Sequence, residues 1–220
     1  MKRQRKSQLR TGRANIVGIA ATPAAIRRAL RLPAGTIDAL ELRLDAFESA
    51  PDVAELRVPV ITTARSPKEG GANNLNARER ASRQLAMLGR AAAIDVELAS
   101  CAEMKSVLDA ARGAGCAIIL SFHDFKGTPS TLRALQRKAA RAGADIFKVA
   151  VTPRSAADFA ALLSLLENPP LPTAVMGMGP MGKASRLAAI ACGSVLNYGW
   201  IERPNVAGQW SALELRGLSA

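Results

Sequence analysis

Eight short apolar or β-branched runs, each followed by an alanine- and leucine-rich stretch of helical period, restrict most strongly what this 220-residue chain can fold into. The pattern predicts strands over 16–20, 39–44, 60–63, 93–98, 117–122, 146–151, 173–178 and 195–198. Strand starts more than 20 residues apart leave room for a crossover helix between parallel strands, the interval of a βα unit. Helix signals fill the gaps: Thr22 with Pro23 reads as N-cap and first helical position, and Ser130 precedes LRALQRKAARAG with its terminal Gly143. Eight such units with no Pro/Ser-rich linker point to a single-domain α/β fold, a (β/α)8 TIM barrel over 14–220. Periodicity alone leaves an open doubly wound sheet as the alternative.

Charge divides the chain unevenly. The net charge is +12, and Lys2, Arg3, Arg5, Lys6, Arg10 and Arg13 supply half of it, so residues 1–13 are expected to form a solvated, disordered basic tail. None of the eight aromatics lies there to stack on bases, which makes a nucleic-acid contact by the tail the weaker reading. The remaining body, near +6, suits an enzyme with an anionic substrate. No apolar run approaches the roughly 18 residues of a membrane span, and the first residues hold no apolar stretch for a signal peptide, so a cytoplasmic protein is expected. Cys101, Cys116 and Cys192 are odd in number and widely spaced, and one histidine serves the whole chain, so neither a disulfide framework nor a metal site is expected.

Strand alternation locates the chemistry. In ALELRLDAF, leucines 40, 42 and 44 share one face and Glu41, Arg43 and Asp45 the other; ITTAR aligns Thr63 with Arg65, and IDVEL aligns Asp95 with Glu97. Paired charges inside a barrel can be purely structural, since buried charges need partners whatever their purpose. Three neighbouring strands carrying them favour a polar substrate at the barrel mouth. Lys148 lies in DIFKVAV, an apolar strand where a lysine either snorkels or becomes a desolvated, nucleophilic amine. The lone histidine, His123, ends the preceding strand, and consecutive barrel strands would set the two side by side as base and nucleophile.

Gly177, Gly179 and Gly182 have GxGxxG spacing, with Glu202 twenty residues beyond, which imitates a dinucleotide fingerprint. Six strands precede this unit and Pro180 sits inside its turn, so a glycine-rich anion seat after the seventh strand is the better reading, with Arg186 on the following helix to hold a carboxylate.

ELRLD, TARSPKEGG, IDVEL, SFHDFKGTP, DIFKVAV, MGKASRL and VAGQW, in that order from residue 41 to 210, resemble the type I 3-dehydroquinate dehydratase family. The resemblance implies a (β/α)8 barrel of the shikimate pathway, and so of aromatic amino acid biosynthesis. It also implies a lyase that converts 3-dehydroquinate to 3-dehydroshikimate through a Schiff base, needs no metal or cofactor, and forms a homodimer. By motif position, Lys148 resembles the Schiff-base lysine, His123 the general acid/base, and Glu69 the residue that orients the histidine. Glu41, Arg43 and Arg65 resemble the groups that bind ring hydroxyls, and Arg186 the carboxylate-binding arginine. Gln209 resembles the closing-loop glutamine, while Asn205 and Ala207 stand where the family commonly has serine and proline. A class I aldolase is the nearer alternative activity, and a nucleic-acid-binding protein using the tail the more distant one.

Overall fold

The computed structural model describes residues 12–219, so the expectation for the basic tail lies outside the described residues except at Gly12 and Arg13. The strands are β1 (Asn15–Ala20), β2 (Ala39–Arg43), β3 (Val60–Thr63), β4 (Ala93–Glu97), β5 (Ala117–Asp124), β6 (Ile146–Val151), β7 (Thr173–Gly177) and β8 (Leu196–Trp200). All pair in parallel, in the order β7-β6-β5-β4-β3-β2-β1-β8. The ring is brought nearly shut where Val195 N–H donates to Thr173 O at 3.1 Å and Val175 N–H to Ser194 Oγ at 3.2 Å. The expected barrel is therefore the fold.

The helices are α1 (Pro23–Ala29), α2 (Ala77–Met87), α3 (Lys105–Gly113), α4 (Leu132–Arg141), α5 (Ala156–Ser164), α6 (Gly182–Ala191) and α7 (Ala212–Leu218). Thr22 caps α1 as expected, its hydroxyl accepting from Ala25 N–H at 3.0 Å. The start of α4 differs from expectation. Thr131, not Ser130, is its N-cap, without a side-chain hydrogen bond, and Gly143 beyond its end takes φ 77°.

One βα unit also departs from the expected pattern. Between β2 and β3 the described chain has a 3-10 turn over Leu44–Ala46 and no α-helix. Pro51 and Pro59 break a stretch already too short for a helix and two connections. Phe47 and Val53, with Leu56 and Val58, cover the outer faces of Leu40, Leu42 and Val60 instead. Irregular backbone fills less space than a helix, and two clefts of about 740 Å³ and 1040 Å³ open on this flank beside α1 and the turn that follows it. None of the residues expected to bind substrate or carry chemistry lines either cleft.

Alternation sorts the core into two layers. Val17, Ala39, Ile61, Ala93, Ile119, Ile146, Ala174 and Leu196 fill the bottom of the barrel, while Val96, Ile118, Leu120, Phe147, Val149 and Val175 pack outward against the helices. The polar residues therefore occupy the same inner face, nearer the C-terminal ends of the strands.

Candidate active site

Lys148 lies on β6 at 3% exposure, with its ammonium 2.8 Å from Asp95 Oδ2 and 3.1 Å from Glu41 Oε2. The amine does not snorkel, and its surroundings are not the apolar ones that DIFKVAV suggests. Phe147 and Val149 make that strand look apolar, but they point to the helix layer, so the lysine between them meets a charged interior. An attacking amine needs a free lone pair, so one proton must leave Lys148 before it can act as a nucleophile.

Arg65 holds the carboxylates beside it. Nη1 donates to Glu97 at 3.0 Å and to Ser121 Oγ at 2.8 Å, and Nη2 to Asp95 at 3.0 Å. Ser121 in turn donates to Asp95 Oδ1 at 2.5 Å, and Arg80 from α2 closes the far side of Glu97 at 2.8 Å. A buried carboxylate is stable only when its lone pairs and charge are both met, and this network does so for Asp95 and Glu97. Arg65 pulls Asp95 well below the usual carboxylate range, with Lys148 next, although burial opposes them.

The loop after β3 brings in Glu69. One of its oxygens, Oε2, accepts His123 N–H at 2.9 Å and lies 3.0 Å from His123 Nδ1. The turn is fixed from below by Asp45, which accepts Arg43 Nη2 at 2.7 Å and Ala72 N–H at 2.8 Å. Gly71 is required there because a Cβ would meet Arg65 O at 2.5 Å. Burial, then the Arg65 and Lys148 charges, hold the His123 imidazole well below its ordinary value. Burial pushes Glu69 up to about 7, with the nearby Glu97 charge adding to it while Arg65 opposes.

A pH dependence follows. Above about 7 the ionised Glu69 accepts the Nδ1 proton and leaves Nε2 with the lone pair that a base needs; below that pH the protonated carboxyl donates to Nδ1 and the lone pair is lost. We expect kcat/KM to drop about tenfold per unit as pH falls below about 7, and Glu69→Gln to lose this limb. A wild-type profile flat from roughly pH 6 to pH 8 would exclude this role for the pair.

Arg186 on α6 stands apart. It is 4% exposed, Nη1 donates to Tyr198 O at 2.9 Å, Nε meets no partner, and no carboxylate pairs with it among the described residues. Burial alone lowers it to about 10, and a buried guanidinium with unused donors has hydrogen bonds left to give to an anion. Arg186→Leu should raise KM for a carboxylate substrate by roughly 10²-fold, the scale of about 3 kcal/mol for a charge-assisted pair. The unliganded variant should melt no lower than the wild type, as it loses an unpaired buried charge. An unchanged KM would remove Arg186 from recognition.

The remaining expected residues divide. Glu41 joins Lys148, and Arg43 reaches Gly70 O at 3.1 Å at the base of the Glu69 turn. Gln209 is buried and its side-chain carbonyl accepts Asn205 N–H at 2.9 Å, whereas the Asn205 side chain is exposed. Their loop rests on the glycine-rich turn, with Gly179 N–H donating to Ala207 O at 2.9 Å. This packing accounts for the fingerprint spacing. A Cβ at Gly182 would meet Gly208 O at 2.6 Å, and one at Gly177 would meet Ser185 Oγ at 2.2 Å, so these glycines serve close packing. Sequence reasoning singled out neither Ser121 nor Tyr198. Each had a signal in the alternation, Ser121 two residues before His123 and Tyr198 as the only tyrosine, on the inner face of β8.

Residues 17–219 match the family model described as type I 3-dehydroquinase. The 3-dehydroquinate dehydratase of Methanothrix thermoacetophila is 34% identical over 197 residues, covering 86% of this chain and 84% of the relative. That of Methanothermobacter thermautotrophicus is 36% identical over 181 residues, covering 78% and 79%. Among solved structures, a type I 3-dehydroquinate dehydratase from Clostridium difficile with covalently modified comenic acid superposes with a TM-score of 0.84 at 26% identity, covering 98% of this chain and 97% of that one.

Proposed function

The chain belongs to the type I 3-dehydroquinase family, and from that premise we propose that it removes water from 3-dehydroquinate to give 3-dehydroshikimate through an imine on Lys148. The observation that carries this reading is a buried lysine, paired to Glu41 and Asp95, on the strand beside one that presents a histidine held by Glu69.

Condensation of the substrate ketone with Lys148 gives an iminium, which draws in electrons as the adjacent carbon loses a proton. His123 takes that proton through Nε2. The enamine expels the β-hydroxyl, which receives the proton back from His123 and leaves as water, and hydrolysis of the product imine frees Lys148. One imidazole thus serves as base and then as acid. Glu69 orients it, Arg186 receives the substrate carboxylate, and Glu41 and Arg43 bind ring hydroxyls. Arg65, already bound to Asp95, Glu97 and Ser121, contributes chiefly by fixing the floor of the site. Gln209 and Asn205 close the open side through their loop.

Among the described residues no helix is long and apolar enough to cross a membrane. The homodimer and cytoplasmic location are proposed from the family likeness. Incubation with 3-dehydroquinate and borohydride tests the reaction, because hydride reduces an iminium to a stable secondary amine. One ligand per chain should be fixed. A three-carbon fragment on the lysine would favour an aldolase, and dehydration without any adduct would exclude the imine.

A further inference from the structure

Tyr198 is the chain's only tyrosine, and β8 delivers it to the interior of the barrel at 2% exposure. The face of its ring lies 4.1 Å from Lys148 Nζ, a cation–π contact that helps fix the amine. The hydroxyl is harder to explain. It is enclosed, leans toward Glu41 without reaching hydrogen-bond geometry, and has no partner among the described residues. Burying a hydroxyl unpaired costs about 1–3 kcal/mol, and phenylalanine would keep the ring and its contact with Lys148 at no such cost. Packing therefore accounts for the ring, while the oxygen beside Glu41 completes no hydrogen bond of normal geometry among the described residues.

Position and ionisation suggest one. A para-hydroxyl lies in the plane of the ring whose face carries Nζ, so it stands to one side of the amine. A carbonyl that approaches Nζ from the hydroxyl end of the ring would bring its oxygen within hydrogen-bond reach of that place. Burial, followed by the Glu41 and Asp95 charges, holds the phenol well above its ordinary value, so the group keeps its proton and acts as a donor.

We infer that Tyr198 is a catalytic hydroxyl for making and breaking the Lys148 imine, donating a hydrogen bond to the oxygen of the carbonyl under attack. This deepens the imine reading above and rests on it. Lys148 first gives one ammonium proton to His123. The Nζ lone pair then forms the carbon–nitrogen bond, and the carbonyl π pair moves onto the oxygen, where Tyr198 stabilises it. A proton passes from nitrogen to that oxygen. His123 then returns its proton to the resulting hydroxyl, the carbon–oxygen bond breaks, water leaves, and the nitrogen lone pair forms the iminium double bond. Tyr198 retains its proton throughout.

Tyr198→Phe separates ring from hydroxyl. In rapid-quench borohydride trapping with 3-dehydroquinate, the variant should still fix one ligand per chain at saturation, but about 10²-fold more slowly, the scale for losing one donor to a developing oxyanion. Trapping with 3-dehydroshikimate, which carries the same carbonyl, should slow by a similar factor. The melting temperature should not fall, since an unpaired buried hydroxyl has been removed. Trapping at the wild-type rate, or slowed with one ligand only, would overturn the assignment. A lowered melting temperature would assign the hydroxyl to the fold and overturn it as well. A wild-type protein that traps nothing would instead remove the imine, and the role of Tyr198 with it.

Discussion

Lys148→Met should abolish borohydride trapping and lower turnover of 3-dehydroquinate by roughly 10⁴ to 10⁶-fold, the scale of losing a covalent nucleophile. Methionine keeps the apolar stem and most of the volume while deleting the amine. Asp95 retains Arg65 and Ser121, so Glu41 is the carboxylate left to find a new donor, and near the open mouth of the barrel water can supply one. The variant should therefore fold, with a circular dichroism spectrum like that of the wild type. Peptide mapping of trapped wild-type protein gives an independent check. The adduct should sit on Lys148 and not on Lys68, Lys126 or Lys183, which lie outside the barrel strands on the loops and on the first turn of α6. Substantial turnover by folded Lys148→Met, or an adduct on another lysine, would end the nucleophile assignment.

His123→Ala should lose roughly 10² to 10⁴ in kcat, the range of a general acid/base, but keep the ability to form the imine. Lys148 is positioned by Glu41, Asp95 and Tyr198, none of which depends on the imidazole for its place. On the proposed route His123 also takes the first lysine proton, so the imine should form more slowly, and it should then accumulate because proton abstraction has no base. Borohydride should accordingly fix a larger share of chains during turnover than in the wild type. Undiminished turnover would remove His123 from the mechanism, and complete loss of trapping would show that the two residues do not have separate roles.

Both variants are predictable in kind from sequence, since SFHDFKGTP and DIFKVAV mark the residues before any coordinate is known. Their energetics were less legible. The run around Lys148 suggests an apolar pocket because a linear sequence interleaves the two faces of a strand, and only the sheet separates Phe147 and Val149 from the charged interior. In the same way GxGxxG records that three positions tolerate no side chain without saying whether a ligand or a backbone fills the space. The partners at Gly182 and Gly177 are Gly208, 26 residues away, and the Ser185 hydroxyl, eight residues away.

Local physical chemistry determined a good deal of this protein. The period of two in the strands and the helical repeats between them specify eight parallel strands, and alternation within ELRLD and IDVEL assigns their charges to the inner face. The cap at Thr22 is equally local, since an N-cap and its acceptor lie three residues apart. What the tertiary structure alone decided depends on groups far apart in the chain. Arg65 meets Ser121 across 56 residues and Lys148 meets Glu41 across 107. The missing helix after β2 is of this kind too, because the irregular segment packs with α1 and over the outer faces of β2 and β3, surfaces that residues 44–59 do not themselves carry. Burial completes the division. The lowered His123, the raised Glu69 and the lowered Arg186 owe their shifts first to loss of water, and how much water a residue loses is a property of the closed barrel that no stretch of sequence carries.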